Sequence, residues 1–215
     1  MTVAIVPAAG RGERLGTNGP KAMVPLHGLP LIAHAVRGLL DAGRVRHVVV
    51  AAPPDHVTQV RAVLSAFEPV TVVPGGADRP ESVRLGLAAA LETVPDARIV
   101  LVHDLSRALT PSSLVRSVTD AVAAGHPAVV PVLPMTDTVK RVDANGVILS
   151  TPDRTELRSV QSPQGFDVDV LRRACAAGGV LEKVDVPVHT VAGDVAGMKI
   201  TTPFDLTVAE AVLAG

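Results

Sequence analysis

Apolar runs and helix-spaced apolar repeats alternate along residues 3–133 of the chain. Short runs rich in valine and isoleucine predict buried strands, because the strands of a covered parallel sheet are apolar on both faces. Five such runs occur, at residues 3–6, 45–52, 70–73, 99–103 and 129–133. Apolar positions at helical spacing between these runs predict four helices, at residues 31–40, 54–67, 80–91 and 111–122.

This alternation predicts the fold class. Four strand–helix pairs feed a fifth strand, which is the pattern of an α/β protein with a mainly parallel sheet. Right-handed crossovers would then place helices on both faces, as in a doubly wound sheet. Thr110 and Pro111 are expected to cap the fourth helix, and Gly125 to end it. We interpret residues 1–215 as a single domain.

The pattern changes at residues 135–163, which are polar and strand-like. A turn signal at residues 143–146 predicts a hairpin between residues 138–142 and 147–150. We expect this segment to project from the sheet as an arm. An isolated hairpin is only marginally stable, so it would pack on a second subunit. The alternative is an edge hairpin that folds back on its own domain.

After residue 163, helix and strand patterns alternate again. A helix is predicted around residues 168–171, followed by strands at residues 187–191 and 198–201. The last helix is expected to start at Pro203, behind Thr202.

Composition narrows the class of protein. The chain is 47% apolar with a net charge of −1 and has neither Trp nor Tyr, which argues against nucleic-acid binding. One cysteine, Cys175, excludes an intrachain disulfide framework. No apolar run reaches the eighteen residues of a membrane span and the N-terminus lacks a basic leader, so we expect a cytoplasmic protein without membrane association.

The loop after the first predicted strand has the composition of a phosphate-binding loop. Its glycines would let backbone N–H groups approach an anion, and its cations would match the charge of a polyphosphate. The glycines are at positions 10, 12, 16 and 19, and the cations are Arg11, Arg14 and Lys21. The alternative is a flexible glycine-rich surface loop.

Two familiar phosphate loops do not fit this segment. A P-loop ends in Gly-Lys-Ser/Thr, whereas Lys21 follows Pro20 and precedes Ala22. A dinucleotide fingerprint needs a third glycine where this chain has Leu15. The sequence Ala-Ala-Gly-x-Gly-x-Arg-Leu…Pro-Lys instead resembles the opening of the nucleotidyltransferases that make sugar nucleotides.

Further candidate residues follow other predicted strands. Ligands of open α/β sheets bind beyond the carboxyl ends of the strands, so these segments should converge. Gly75 and Gly76 allow close contact with a planar base, although an ordinary strand–helix turn is an equal alternative. Asp104 is a candidate metal ligand or hydroxyl acceptor, or else a helix N-cap or a partner of Arg107. His103 fits a structural role better than that of a general base.

At these segments the chain closely resembles one family, the 2-C-methyl-D-erythritol 4-phosphate cytidylyltransferases of the non-mevalonate isoprenoid pathway. The family has a Rossmann-like nucleotidyltransferase fold. The resemblance spans residues 3–206, and its more specific motifs are Asp-Thr-Val-Lys, Ser-Pro-Gln and Lys-Ile-Thr. The matching segments are at residues 7–15, 20–21, 75–83, 102–107, 137–140, 162–166 and 199–203.

The resemblance implies a role for each matched residue. It implies three catalytic cations: Arg14, Lys21 and Lys199. It implies that the nucleotide is bound by Pro7, Ala8, Ala9, Gly10, Gly12, Arg14, Lys21, Gly76, Ala77, Ser82, Asp104 and Arg107. It implies that the second substrate is bound by Asp104, Thr138, Arg154, Ser162 and Lys199. It also implies Mg²⁺ held mainly by the CTP phosphates, with Asp104 as a candidate ligand, and a homodimer formed through the 135–163 arm.

Three departures from the family pattern stand out. Leu105 and Ser106 replace two alanines, and Ser162 replaces a threonine while keeping the hydroxyl. The family also carries a Thr-Asp-Asp/Glu-Ala stretch before its last strands, whereas Gly179 here runs directly into Val180. Either the chain lacks this substrate loop or the printed sequence omits it, and the survival of the other motifs favours an omission.

The implied reaction needs no general base. A phosphate monoester has a second pKa of about 6, so its oxygen is already anionic when it attacks the α-phosphorus of CTP and displaces pyrophosphate. Positioning and cations would carry the catalysis. Two alternatives remain: a cytidylyltransferase for another polyol phosphate such as ribitol 5-phosphate, and a nucleotide-binding regulator without catalysis.

Overall fold

The computed structural model describes residues 1–10, 15 and 19–214. Its strands are β1 (Thr2–Pro7), β2 (Pro25–Leu26), β3 (Leu29–Pro30), β4 (His47–Ala52), β5 (Val70–Pro74), β6 (Ile99–Val102), β7 (Ala128–Pro134), β8 (Arg141–Val142), β9 (Ile148–Ser150), β10 (Arg158–Val160), β11 (Gln164–Asp167) and β12 (Val188–Ala192). Its helices are α1 (Leu31–Asp41), α2 (Val57–Val63), α3 (Arg79–Thr93), α4 (Ser112–Ala123), α5 (Val168–Ala176) and α6 (Pro203–Ala214).

Eight strands form the central sheet, which confirms the predicted α/β class with a mainly parallel sheet. Strands β6, β1, β4 and β5 are neighbours in that order and run parallel. Strand β7 runs parallel to β12 but is separated from β6 by the antiparallel β11. The sequence pattern missed β11, whose Gln-Gly-Phe-Asp sequence lacks a run of β-branched residues.

Strand β1 lies inside the sheet and is buried on both faces. Its side chains alternate: Ala4 and Val6 join one core cluster, and Val3 and Ile5 join the other. The first cluster includes residues of α1, α2 and α4, and the second includes residues of α3 and α5. A Cβ at Gly86 of α3 would lie only 2.6 Å from Cγ2 of Ile5, so this glycine lets the helix approach the sheet.

Some predicted boundaries are wrong. Residues 198–201 form no strand; the backbone N–H of Ile200 instead bonds at 2.7 Å to the carbonyl of Ser106, which belongs to the 3₁₀ turn Leu105–Arg107. Thr110 does not cap α4; its hydroxyl donates to the carbonyl of Arg107 at 2.9 Å, and Pro111 holds the N-cap position. The predicted start of α6 at Pro203 is confirmed.

The predicted hairpin is present in shorter form, with β8 paired to β9. The end of the segment differs from the expectation, because β10 pairs with β7 and residues 161–163 are buried. The projecting part therefore ends before Arg158. No helix in the part of the chain that the structure describes is long and apolar enough to cross a membrane.

Candidate active site

A cleft of about 430 Å³ lies where the carboxyl ends of β1, β5 and β6 meet. Three loops and the segment before α6 line it, although they are far apart in sequence. The lining residues are Pro7, Ala8, Ala9, Gly10, Lys21, Gly76, Ala77, Asp78, Arg79, Ser82, Asp104, Leu105, Ser106 and Lys199. The structure thus brings together most of the nucleotide-binding residues expected from the sequence. Gly12 and Arg14 lie outside the described residues.

Lys21 and Lys199 share this cleft, which is the arrangement a polyphosphate site requires. The Lys21 ammonium donates a hydrogen bond of 2.5 Å to the carbonyl oxygen of Ile200, the residue after Lys199. The backbone N–H of Lys21 also bonds to the carbonyl of Gly10 at 3.2 Å. Two cations from opposite ends of the chain therefore meet at one edge of the sheet.

Lys199 is exposed and lies in an irregular segment rather than in the expected strand. The segment is fixed on its C-terminal side by a capping box at the start of α6. The Asp205 carboxylate accepts the N–H groups of Thr201 and Thr202 at 2.8 Å, and the Thr202 hydroxyl accepts the N–H of Asp205 at 3.2 Å. These bonds to the carboxylate lower the pKa of Asp205 to about 2.

The loop after β5 is held in shape by side chains of α3. The Ser82 hydroxyl accepts the N–H of Gly76 at 3.1 Å and donates to the carbonyl of Asp78 at 2.8 Å. The Glu81 carboxylate accepts the N–H of Ala77 at 2.8 Å. The groups expected to contact a base are therefore already ordered by these bonds, with Ser82 fully buried behind them.

Asp104 pairs with Arg79 in the cleft, and not with Arg107. The Arg79 guanidinium donates from Nε and Nη2 to Asp104 Oδ1 at 3.2 and 3.0 Å. Burial opposes ionisation of Asp104, but the charges of Arg79 and Lys199 outweigh it, so the pKa of Asp104 lies below its ordinary value. Asp104 is thus a carboxylate surrounded by cations. Its side chain does not cap the 3₁₀ turn that follows it.

Arg79 is a site residue that sequence reasoning missed. It is the first residue of α3 and lines the cleft beside Asp104. Its position could have identified it, because Arg79 lies four residues after Gly75 in a segment that the sequence predicts at the same sheet edge as Asp104.

His103 and Ser162 form a buried pair beneath the cleft. The Ser162 hydroxyl accepts the N–H of Asp104 at 3.0 Å and lies 3.1 Å from His103 Nδ1. Burial lowers the pKa of His103 to about 4, so the ring is neutral at pH 7. His103 therefore has the structural role that the sequence favoured. Ser162 supports the Asp104 backbone and does not line the cleft.

Arg107 lies behind the cleft rather than on its wall. Its side chain donates to the carbonyl oxygens of Gly197 at 2.6 Å and Val160 at 2.8 Å. Burial lowers the pKa of Arg107. The guanidinium thus ties the turn Val195–Gly197 to the end of β10, and it is not among the residues that line the cleft with Lys21 and Lys199.

Thr138 and Arg154 are exposed on the arm and are not among the cleft residues of their own chain. Arg154 donates to the carbonyl of Thr136 at 2.7 Å. Around them the hairpin exposes more than half of each of four apolar residues: Val142, Val147, Ile148 and Leu149.

The connection after α5 is short and continuous. Gly178, with φ of +79°, and Gly179 turn the chain, and their N–H groups bond to the carbonyls of Cys175 and Ala174. The turn passes directly to Val180, which is buried. The connection follows the printed sequence and so does not test the expected omission, which stays a prediction.

The described residues contain no cluster of three or more His, Cys, Asp or Glu side chains able to hold a metal ion. Asp78 and Asp104 are the carboxylates among the described cleft residues. Asp78 is occupied as the N-cap of α3, accepting the N–H of Glu81 at 2.8 Å.

Comparison with known proteins points to one family. The family model for IspD, 2-C-methyl-D-erythritol 4-phosphate cytidylyltransferase, matches residues 2–215. A protein of that name from Saccharopolyspora erythraea is 58% identical over 221 residues, covering 99% of both chains. One from Nocardia farcinica is 53% identical, covering 98% of this chain and 93% of its own.

Solved structures agree with this result. The crystal structure of 2-C-methyl-D-erythritol 4-phosphate cytidylyltransferase from Thermus thermophilus is 31% identical, with a TM-score of 0.77 and full coverage of both chains. A 4-diphosphocytidyl-2C-methyl-D-erythritol synthase from Anaerococcus prevotii has a TM-score of 0.86 at 23% identity, covering 100% of this chain and 99% of its own, and so supports the fold.

Proposed function

This chain belongs to the 2-C-methyl-D-erythritol 4-phosphate cytidylyltransferase family, and we infer that it joins CTP to 2-C-methyl-D-erythritol 4-phosphate. The products are the CDP-linked methylerythritol and pyrophosphate, in isoprenoid precursor biosynthesis. One structural observation carries this function: Lys21 and Lys199 line the same cleft, with Lys21 bonded to the residue after Lys199. The cytoplasmic location expected from the sequence stays a prediction.

The cleft suits an in-line attack of one phosphate on another. An oxygen of the acceptor phosphate attacks the α-phosphorus of CTP, and the bond to pyrophosphate breaks. The main obstacles are repulsion between two anions and the charge that gathers on the five-coordinate phosphorus. Lys21 and Lys199 supply positive charge at this point. His103 is buried and neutral, and the reaction takes no proton from the nucleophile, so no base is needed.

We assign the nucleotide to the loops after β1 and β5. Ala8, Ala9 and Gly10 would contact the triphosphate together with Lys21, and the segment 76–82 would contact cytosine. Gly12 and Arg14 keep their expected phosphate-binding roles as predictions. Asp104 would accept a hydrogen bond from a substrate hydroxyl, since Arg79 and Lys199 keep it ionised.

Magnesium fits this donor set as a substrate-bound ion. Mg²⁺ prefers oxygen ligands in octahedral geometry and usually keeps several waters alongside substrate phosphates. Asp104 is the candidate protein ligand, because its carboxylate is ionised and lines the cleft. When bound, the ion would neutralise part of the triphosphate charge.

We further propose a homodimer in which the arm of one subunit completes the cleft of the other. The expected acceptor-phosphate residues, Thr138 and Arg154, do not line their own cleft. The hairpin that lies between them in sequence exposes valine, isoleucine and leucine side chains that an isolated two-stranded hairpin cannot bury. A second copy would cover this apolar surface and bring Arg154 to the acceptor phosphate.

The direct test of the reaction is pyrophosphate release from CTP with different acceptors. We expect release with 2-C-methyl-D-erythritol 4-phosphate and little with ribitol 5-phosphate at the same concentration. Preference for ribitol 5-phosphate would contradict the proposed acceptor. CTP binding without pyrophosphate release for any polyol phosphate would contradict catalysis and favour a regulator.

A further inference from the structure

The segment that carries Lys199 is anchored from behind by a buried glutamine. Gln161 is 3% exposed, and its side-chain amide pairs with the backbone of Asp194. Its Nε2 donates to the Asp194 carbonyl at 2.8 Å, and its Oε1 accepts the Asp194 N–H at 2.9 Å. Nε2 also lies 3.3 Å from the carbonyl oxygen of Gly197. One side chain thus satisfies three backbone groups of a single turn.

The turn packs tightly against this amide. A Cβ at Gly193 would collide with Gln161 Oε1 and would lie 3.0 Å from the carbonyl oxygen of Val132. The carbonyl of Gly197 is also bonded to the buried Arg107 guanidinium. The 3₁₀ turn Val195–Gly197 is therefore fixed from the sheet side, two residues before Lys199.

Lys199 itself has no regular secondary structure to hold it. Between Gly197 and the start of α6 the chain runs irregularly, with Ile200 tied to Ser106. The position of Lys199 thus depends on contacts at both ends of a short segment. The remaining cleft loops are ordered by other bonds, such as those of Ser82 with Gly76 and Asp78.

We propose that Gln161 is a positioning residue that sets the place of the Lys199 ammonium in the cleft. This inference rests on the proposed role of Lys199. A primary amide suits the task because it donates and accepts side by side, as a strand backbone does. Methionine has a similar size but offers no N–H donor and only a weak sulfur acceptor, so it would release the turn. Displacement of a reacting group by about 1 Å can cost up to roughly a hundredfold in rate.

A double-mutant cycle tests this inference. The variants are Gln161→Met, Lys199→Ala and their combination, and the exposed Gln59→Met is the matched control. We expect Gln161→Met to lower kcat roughly tenfold in the wild-type background, but less than roughly twofold when Lys199 is already alanine. Gln59→Met should leave kcat unchanged. Gly193→Ala would place a Cβ against Gln161 Oε1 and disturb the same amide. It should therefore lower kcat in the wild-type background but not when Lys199 is alanine, and it is the test to use if Gln161→Met does not fold.

The results distinguish a failure of the link between Gln161 and Lys199 from a failure of the proposed role of Lys199. An equal loss of kcat in both backgrounds would show that Gln161 does not act through Lys199. Near-wild-type turnover of Lys199→Ala would instead refute the proposed role of Lys199, and this inference with it.

Discussion

Replacing Lys199 with alanine should lower kcat for pyrophosphate release by roughly a hundredfold or more, about 2.7 kcal/mol of transition-state stabilisation. The same loss is expected for Lys21→Ala. Both side chains line the cleft where negative charge must be neutralised, and Lys199 also faces the ionised Asp104. Steady-state kinetics with CTP and the methylerythritol phosphate measure the effect.

Lys183 provides the matched control for these variants. It is exposed in the turn Leu181–Lys183, and it is not among the residues that line the cleft. Lys183→Ala should therefore keep wild-type kcat. Near-wild-type turnover of both Lys21→Ala and Lys199→Ala would remove these residues from the catalytic set.

Arg154→Ala should raise the KM for the methylerythritol phosphate by roughly 30-fold or more, because removing one partner of a desolvated charge pair costs at least about 2 kcal/mol. The KM for CTP should change little. Initial rates with each substrate varied in turn give both constants. A rise confined to the KM for CTP would show that the arm has been assigned to the wrong substrate.

Subunit mixing shows whether the arm acts in the neighbouring cleft. Arg154→Ala and Lys199→Ala each impair every site of their own homodimer. In a mixed dimer one cleft would carry both changes and the other neither. Random pairing should then restore about a quarter of the wild-type sites. Activity no greater than that of the separate variants would contradict an arm that works across the dimer.

The fold was largely readable from the sequence because the parallel strands are apolar on both faces. β1 and β4 are continuous buried runs, and these cannot be mistaken for surface segments. β11 was not predicted, because it is a strand only through its pairing between β6 and β7, and that tertiary contact produces no apolar run in its own sequence. Residues 198–201 were predicted as a strand because apolar residues flank Lys199. In the structure these residues belong to a loop whose Ile200 bonds to the backbone of Ser106.

The site was readable where loops follow parallel strands, since the carboxyl ends of those strands share one edge. This rule predicts that Lys21, Gly76 and Asp104 share one cleft, and the structure confirms it. It could not show which cation pairs with which anion. Arg107 was the nearer candidate for Asp104 in sequence, but its side chain turns toward Gly197, and Arg79 takes the position instead.

The central claim is that cations brought together from both ends of the chain grip the triphosphate of CTP. A crystal structure of the protein with CTP and Mg²⁺ tests it most directly. We expect the triphosphate in the cleft, with the α-phosphate within direct or water-bridged reach of both Lys21 and Lys199 and the cytosine against the backbone of residues 75–77. A triphosphate bound elsewhere on the chain, or an α-phosphate that neither lysine can reach, would contradict the account.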